Sequence, residues 1–222
     1  MKKEFWLERW ERDEIGFHES VANTYLIRFW SEMQVKKDCK VFVPLCGKSV
    51  DMQWLWQQGH SVIGVELSEI AVQAFYRENG YSPVLSDSGN FKQYEANDIR
   101  ILCGDFFYLK RDDLAGVQAV YDRASMVALP LEMRKRYVQH LVSILPRATQ
   151  ILLITFDYPQ DEMPGPPFAL SSSEVEVLYS KHADIRVLAQ IDALPQNPRF
   201  QQRGLTRLRE NIYLLTLNGR RD

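Results

Sequence analysis

The sequence predicts an α/β fold: a doubly wound, mostly parallel sheet of seven strands with an antiparallel last strand, preceded by a helical N-terminal segment. Three observations carry this. Apolar strand-like runs alternate with stretches of helical periodicity between residues 41 and 156. Ile151–Phe156 is continuously apolar, as a parallel strand buried on both faces is. The last two strand-like runs, Ile185–Ile191 and Asn211–Leu217, have only a loop rich in Pro, Asn, Gln and Arg between them. They can therefore pair antiparallel, whereas strands joined by helices run parallel.

The chain has 222 residues, enough for one large α/β domain, and no linker or repeat divides it. Residues 1–38 are expected to be a helical cover and the whole 1–222 a single domain. Charged residues make up 25% and the net charge is −2, which gives no support to a nucleic-acid or acidic-membrane partner. The cluster Arg134–Arg136 reads as a solvated helix face. Three scattered cysteines suit neither a disulfide framework nor a zinc site, so no metal is expected. The N-terminal run has charges inside it and no cleavage signature, and no apolar segment is long enough to cross a bilayer. A cytoplasmic monomer is expected.

Taken in order, Phe5, Trp6, Arg9 and Trp10 recur at helical spacing. Leu26, Phe29, Trp30 and Met33 form the apolar face of a second helix, which Asn23 can cap. Val41 opens a short strand ending in a turn at Gly47, and a helix starts near Ser49. Gly59 suits a C-cap, strand Ser61–Glu66 follows, and Ser68 caps a helix over Glu69–Asn79 whose Ile70, Ala74 and Phe75 share a face. Residues 81–90 read as an excursion rich in Ser, Asp and Gly. Phe91–Tyr94 and Ile99–Cys103 flank a turn at Ala96–Asp98 and form a local hairpin. The strand Ala119–Asp122 runs into Arg123. Pro130 opens a helix with Tyr137, Val138, Leu141, Val142 and Leu145 on its apolar stripe, stopped by Pro146. After the breaker Pro164–Pro167, two capping boxes, Ser171 with Glu174 and Ser173 with Glu176, open a last long helix.

Ligands of doubly wound sheets bind at the carboxyl ends of the strands. Here those ends offer Leu45 to Gly47, Glu66, Asp105, Asp122 and Arg123. The turn Cys46–Ser49 ends like a phosphate loop, but the required earlier glycine is replaced by Phe42. Leu45 and Ser49 likewise stand where a dinucleotide turn needs glycines. A ligand without phosphate needs only one open turn, and S-adenosylmethionine is such a ligand. Glu66, at the roughly 20-residue spacing from the turn that a ribose-binding acid takes, can accept both ribose hydroxyls. Asp105 can lie beside the adenine, or simply close a Gly-Asp turn. Arg123 can hold a carboxylate or steady an anionic acceptor with its planar fork of donors, or be paired to Asp122 or another rim acid. Lys48 is expected to be solvated. The four histidines are scattered and read as structural.

The residues Pro44–Lys48, Gly59–Glu66, Asp122-Arg123 with Ala128, Pro164–Phe168 and Tyr213–Thr216 follow one another in a pattern that resembles the thiopurine S-methyltransferases, close to the bacterial form. The N-terminal Trp6, Trp10, Phe17 and His18 belong to the same pattern. The resemblance implies a class I S-adenosylmethionine-dependent methyltransferase fold, with the cofactor contacted by Trp10, Leu45, Glu66 and Arg123. It implies that Trp6 and Phe17 line the donor or acceptor pocket, over the floor made by Leu45 and Gly47. It also implies methyl transfer to the sulfur of aromatic and heterocyclic thiols, thiopurines among them, and the bacterial members are linked to selenium and tellurium methylation. The segment Pro195–Arg199 departs from the animal enzymes, which leaves the role of Arg199 as a substrate contact open. The acceptor would be a small thiol and no general base is expected, with Arg123 positioning donor or acceptor. An NAD-dependent oxidoreductase and a non-catalytic S-adenosylmethionine-binding sensor are the alternatives.

Overall fold

A computed structural model describes residues 3–16 and 18–218. It contains one mixed sheet of nine strands in the order β3-β4-β5-β2-β1-β6-β7-β9-β8. The parallel centre is β1 (Lys40–Val43), β2 (Ser61–Glu66), β5 (Ile99–Cys103), β6 (Val117–Arg123) and β7 (Gln150–Asp157). These strands are buried on both faces, and the alternation of side chains sorts the core into two layers. Phe42, Ile63, Val65, Val120 and Leu153 belong to the layer that contains Tyr137 and Leu141 of α5 (Leu131–Ile144). Val41, Val43, Val62, Tyr121 and Leu152 belong to the other. That second layer contains Leu26 and Phe29 of α2 (Thr24–Phe29), Met52 of α3 (Asp51–Gln57) and Phe75 of α4 (Glu69–Glu78).

The sheet has two more strands than the seven expected. β4 (Phe91–Ala96) is the outer arm of the anticipated hairpin, turned by Asn97 and Asp98, both at positive φ. β3 (Val84–Ser88) lies in the stretch read as an excursion. All five of its residues are exposed, so no inward-outward alternation marks it in the sequence. The one signal was the two-residue Gly89-Asn90 turn between paired Ser88 and Phe91, a hairpin type that needs positive φ. At the other end β9 (Arg209–Leu217) inserts antiparallel between β7 and β8 (Ala183–Asp192), the pairing the loop between them was expected to allow. That connection holds a small helix, α7 (Pro198–Gln202), over its own apolar cluster of Tyr158, Met163, Phe200 and Leu208.

The caps are where the side chains allow them. Asn23 Oδ1 accepts from the amides of Tyr25 and Leu26, and Ser68 Oγ accepts from Ala71 N. Of the two capping boxes before α6 (Ser172–Tyr179), only Ser171 caps, accepting from Glu174 N; Ser173 already lies within the helix. Ile70 is 47% exposed, because the buried arc of α4 runs through Ala71, Val72, Phe75 and Tyr76 instead.

Of the basic cluster Arg134–Arg136, Lys135 and Arg136 are exposed as expected, but Arg134 is not. Arg134 is 3% exposed, its Nε donates to the carbonyls of Met126 and Leu129, and its Nη1 pairs with Glu174 at 2.7 Å. The guanidinium satisfies the carbonyl ends of a 3-10 turn, a tertiary demand invisible in the local pattern. Lys48 is not solvated either, since it pairs with Glu78 at 2.8 Å. Among the described residues no helix is long and apolar enough to cross a membrane.

Gly64, inside β2, gives up its side-chain space to Cys46 and Met52: a Cβ there would sit 2.7 Å from Cys46 Sγ. Gly64→Ala is expected to lower stability by ~1–3 kcal/mol through overpacking. Adding Cys46→Ala should restore part of that loss in urea unfolding; a loss unchanged by the second substitution would contradict the packing assigned here.

Candidate active site

β2 and β6 leave β1 on opposite sides, so the strand order reverses beside β1. Crevices form at such a switch, outside the carboxyl ends of the strands. A cavity of about 690 Å³ lies there, within the size range of small-molecule sites.

Over β5, β2 and β1 the wall carries two acids, Glu66 and Asp105, beside the bare turn at Gly47. The turn after β1 places Leu45 at φ 45° and Gly47 at φ 53°. A non-glycine residue in the left-handed region is uncommon and strained, and it here faces the cavity. A Cβ on Gly47 would lie 3.2 Å from the Trp10 ring, so α1 (Lys3–Glu11) lies against the bare turn. Glu66, only 7% exposed, holds this corner together. Its Oε2 accepts from Gly47 N at 2.9 Å and its Oε1 from Ser68 N at 2.8 Å. Burial pushes its carboxyl above the ordinary range, while those amides favour the charged form. Two bonds leave roughly half of a carboxylate's lone-pair sites for a ligand. Asp105 accepts from Phe107 N at 2.9 Å and pairs with Lys3 of α1 at 2.6 Å.

Over β6, β7 and β9 the wall is aromatic and cationic. Arg123 at the end of β6 is oriented by acids on both sides, Asp51 from Nε at 3.2 Å and Glu19 from Nη1 at 3.3 Å. Asp51 is itself 1% exposed and also accepts from Asn23 N and Tyr121 Oη, fixing α2, α3 and β6 to one carboxylate. The acid next in sequence, Asp122, faces the other layer and accepts from Tyr137 Oη at 2.7 Å. Phe156 from β7 and Phe200 from α7 supply aromatic surface beside Pro166 and Pro167. Arg199 lies over the Phe200 ring, 4.9 Å from its centroid, and donates to the Gly16 carbonyl.

The structure brings Trp6, Trp10, Leu45, Gly47, Glu66, Asp105, Arg123 and Arg199 to this one cavity. Phe17 lies outside the described residues. Sequence reasoning missed Asp51, Glu19 and Glu210, which orient or adjoin the arginines from distant parts of the chain. It also missed Arg136, which crosses the Phe107 ring at 4.9 Å and lines the cavity. Helical spacing from Tyr137 marks Arg136 as a neighbour of the apolar stripe, but Glu210 carries no local signal. Among the described residues no histidine lines the cavity and no group of acids, histidines and cysteines could hold a metal. The thiols of Cys46 and Cys103 are pushed up by burial, that of Cys103 to about 11.

A model of the thiopurine S-methyltransferase family matches residues 1–218. A thiopurine S-methyltransferase of Nitrosospira multiformis is 62% identical over 97% of this chain and 98% of its own. The chain belongs to the thiopurine S-methyltransferase family. A second member, from Pseudomonas fluorescens, is 47% identical over 96% of this chain and 98% of its own. As an enzyme of this family the protein is an S-adenosylmethionine-dependent methyltransferase. The fold agrees with solved methyltransferases. One is the 1,6-didemethyltoxoflavin-N1-methyltransferase of Burkholderia thailandensis, with a TM-score of 0.66 at 12% identity, covering 98% of this chain and 87% of that one. Another is an S-adenosylmethionine-dependent methyltransferase of Anabaena variabilis, with a TM-score of 0.64 at 14% identity over 97% and 95%. The residues present suit the family's cofactor: a turn without a side chain at Gly47, a buried acid with acceptor capacity to spare, and no phosphate-binding glycine loop.

Burial raises the Asp122 carboxyl to about 6, against an unfolded value near 4. Below about pH 4 both states hold the proton and nothing is lost. Between about pH 4 and pH 6 the unfolded state ionises first and stability falls, by ~3 kcal/mol once the loss is complete. Asp122→Asn does not ionise, so its stability relative to the natural protein should rise by about that amount between pH 4 and pH 7 in urea unfolding. A difference independent of pH would contradict the assignment.

Proposed function

We propose that the enzyme transfers the methyl of S-adenosylmethionine to the sulfur of aromatic or heterocyclic thiols such as thiopurines. Selenium and tellurium species of similar softness are further acceptors in this proposal. The observation that carries it is one cavity that joins the Glu66–Gly47 corner to aromatic and arginine side chains, with no histidine among the described lining residues. When bound, S-adenosylmethionine supplies an electrophilic methyl on a sulfonium sulfur.

The chain's own residues then bind, orient and exclude water. Glu66 offers its remaining lone pairs to the ribose hydroxyls, Leu45 and Gly47 form the floor, and Asp105 borders the adenine. Trp10, lying on Gly47, and Trp6 cover the donor and present π-faces to a cation. We assign α1 the role of a lid, since Trp6 and Trp10 would be the inner face of such a cover. Aryl and heteroaryl thiols ionise more readily than alkyl ones, so the nucleophile can arrive as a thiolate. Arg123, held by Asp51 and Glu19, favours that anion and fixes its approach. Alignment and dryness supply the rest of the rate. With the cysteine thiols held above their ordinary range, a relay through a methylated cysteine is not part of the mechanism. The same reading takes the protein as a cytoplasmic, single-domain monomer with a small-molecule partner and no nucleic-acid or membrane ligand.

Transfer of a labelled methyl to thiophenol and 6-mercaptopurine is the direct test. S-methyl products are expected; methylation confined to oxygen or nitrogen analogues would refute the acceptor class. By calorimetry Glu66→Gln should weaken S-adenosylhomocysteine about ten- to a hundredfold, the worth of a charged hydrogen bond or two. NAD should show no binding. Arg123→Ala should lower kcat/KM for the thiol about tenfold or more; unchanged donor affinity and unchanged transfer would remove Arg123 from the mechanism.

A further inference from the structure

Glu210 is a carboxylate that the mechanism above leaves unused. It stands near the start of β9, paired in register with Phe156 of β7, and both residues line the cavity. It therefore sits on the aromatic and cationic half, across the sheet from Glu66. Among the described residues it has no ion-pair partner, whereas Glu19, the other acid of that half, is neutralised by Arg123. The groups that face it are the Tyr25 hydroxyl from α2, Glu19 from the N-terminal segment and Arg123 from β6. Arg199 and Arg203 line the same cavity from the β8–β9 connection.

A carboxylate that lines a cavity with aromatic walls can accept a proton or an N–H from a heterocycle bound there. Heterocycles in which a ring nitrogen adjoins the carbon–sulfur bond differ from simple aryl thiols in this respect. They rest as the thione, with C=S and ring N–H. Such an acceptor has no S–H to lose, and its sulfur becomes a strong nucleophile only as the ring N–H proton departs.

We propose that Glu210 recognises the ring N–H of an N–C=S acceptor and takes its proton as the sulfur is methylated. This rests on the S-methyltransferase reading given above and narrows its acceptor class. The thione sulfur forms a bond to the methyl carbon as the methyl–sulfonium bond breaks, its electron pair staying on the departing sulfur. The N–H pair becomes the C=N bond of the product ring, and the proton moves to a Glu210 oxygen. A neutral acceptor, a sulfonium and a carboxylate become a neutral thioether, neutral S-adenosylhomocysteine and a carboxylic acid, so charge balances. Burial pushes the Glu210 carboxyl above its ordinary range and the charge of Glu19 adds to this, while Tyr25 and Arg123 oppose it. A base shifted toward neutrality is suited to that transfer. The arginines near it keep the sulfur end distinct from the nitrogen end.

The test compares 2-mercaptopyridine, a thione with a ring N–H, with thiophenol, which has none. Glu210→Gln should reduce kcat/KM on 2-mercaptopyridine at least about thirtyfold more than on thiophenol, general-base contributions being about a hundredfold or more. The acid limb of the pH profile for 2-mercaptopyridine should be present in the natural enzyme and missing in Glu210→Gln. Tyr25→Phe, which keeps the carboxylate but removes a hydrogen bond that lowers its proton affinity, should shift that limb to higher pH. Equal losses on the two acceptors, or a limb that does not move in Tyr25→Phe, would overturn the role of Glu210. A natural enzyme that methylates thiophenol but not 2-mercaptopyridine would overturn it too, leaving the broader reading intact. One that methylates neither would overturn the S-methyltransferase reading itself.

Discussion

The Glu66 carboxylate, clamped between Gly47 N and Ser68 N, is the contact on which the rest of the site depends. One oxygen fixes the turn after β1 and the other fixes the entry to α4, so a single buried side chain sets the distance between two strand ends. The backbone amides make its burial tolerable, and the strained Leu45 persists because the turn is held from both sides. With Leu45, Gly47 and Glu66 fixed, Trp10 has a flat surface to lie on, and the N-terminal helix acquires its place.

Asp51 does for the other half what Glu66 does for the first. It joins Asn23, Tyr121 and Arg123, so the Arg123 guanidinium at the cavity wall is positioned by a residue hidden behind it. A buried acid with three donors is a rigid mount. The two clamps stand on either side of the strand-order switch. They fix the Glu66–Gly47 corner and the Arg123 guanidinium, the two parts of the cavity on which the proposed separation of cofactor and acceptor rests.

Much of this was legible in the sequence because it is local. Caps such as Asn23 and Ser68 and the apolar core strands are written within a few residues, and Glu66 is marked as the end of a strand. What was not legible depends on partners far along the chain. Arg134 looks like one of three surface cations until the carbonyls of Met126 and Leu129 come round to meet it. Glu19, Asp51 and Glu210 converge on the Arg123 side of the cavity from three separate segments. β3 went unread for the opposite reason: an edge strand exposed throughout has no buried face to impose a pattern. The family pattern supplied the methyltransferase chemistry, and the strand ends supplied Leu45, Gly47, Glu66, Asp105 and Arg123, which line one cavity.

The most direct measurement is a crystal structure of the protein with S-adenosylhomocysteine and 2-mercaptopyridine bound together. The account places the ribose hydroxyls on Glu66, the adenine beside Asp105, and the heterocycle against Phe156 with its sulfur turned toward the donor. Ribose bound away from Glu66, or an acceptor seated over β5 and β2 instead of β6, β7 and β9, would contradict it.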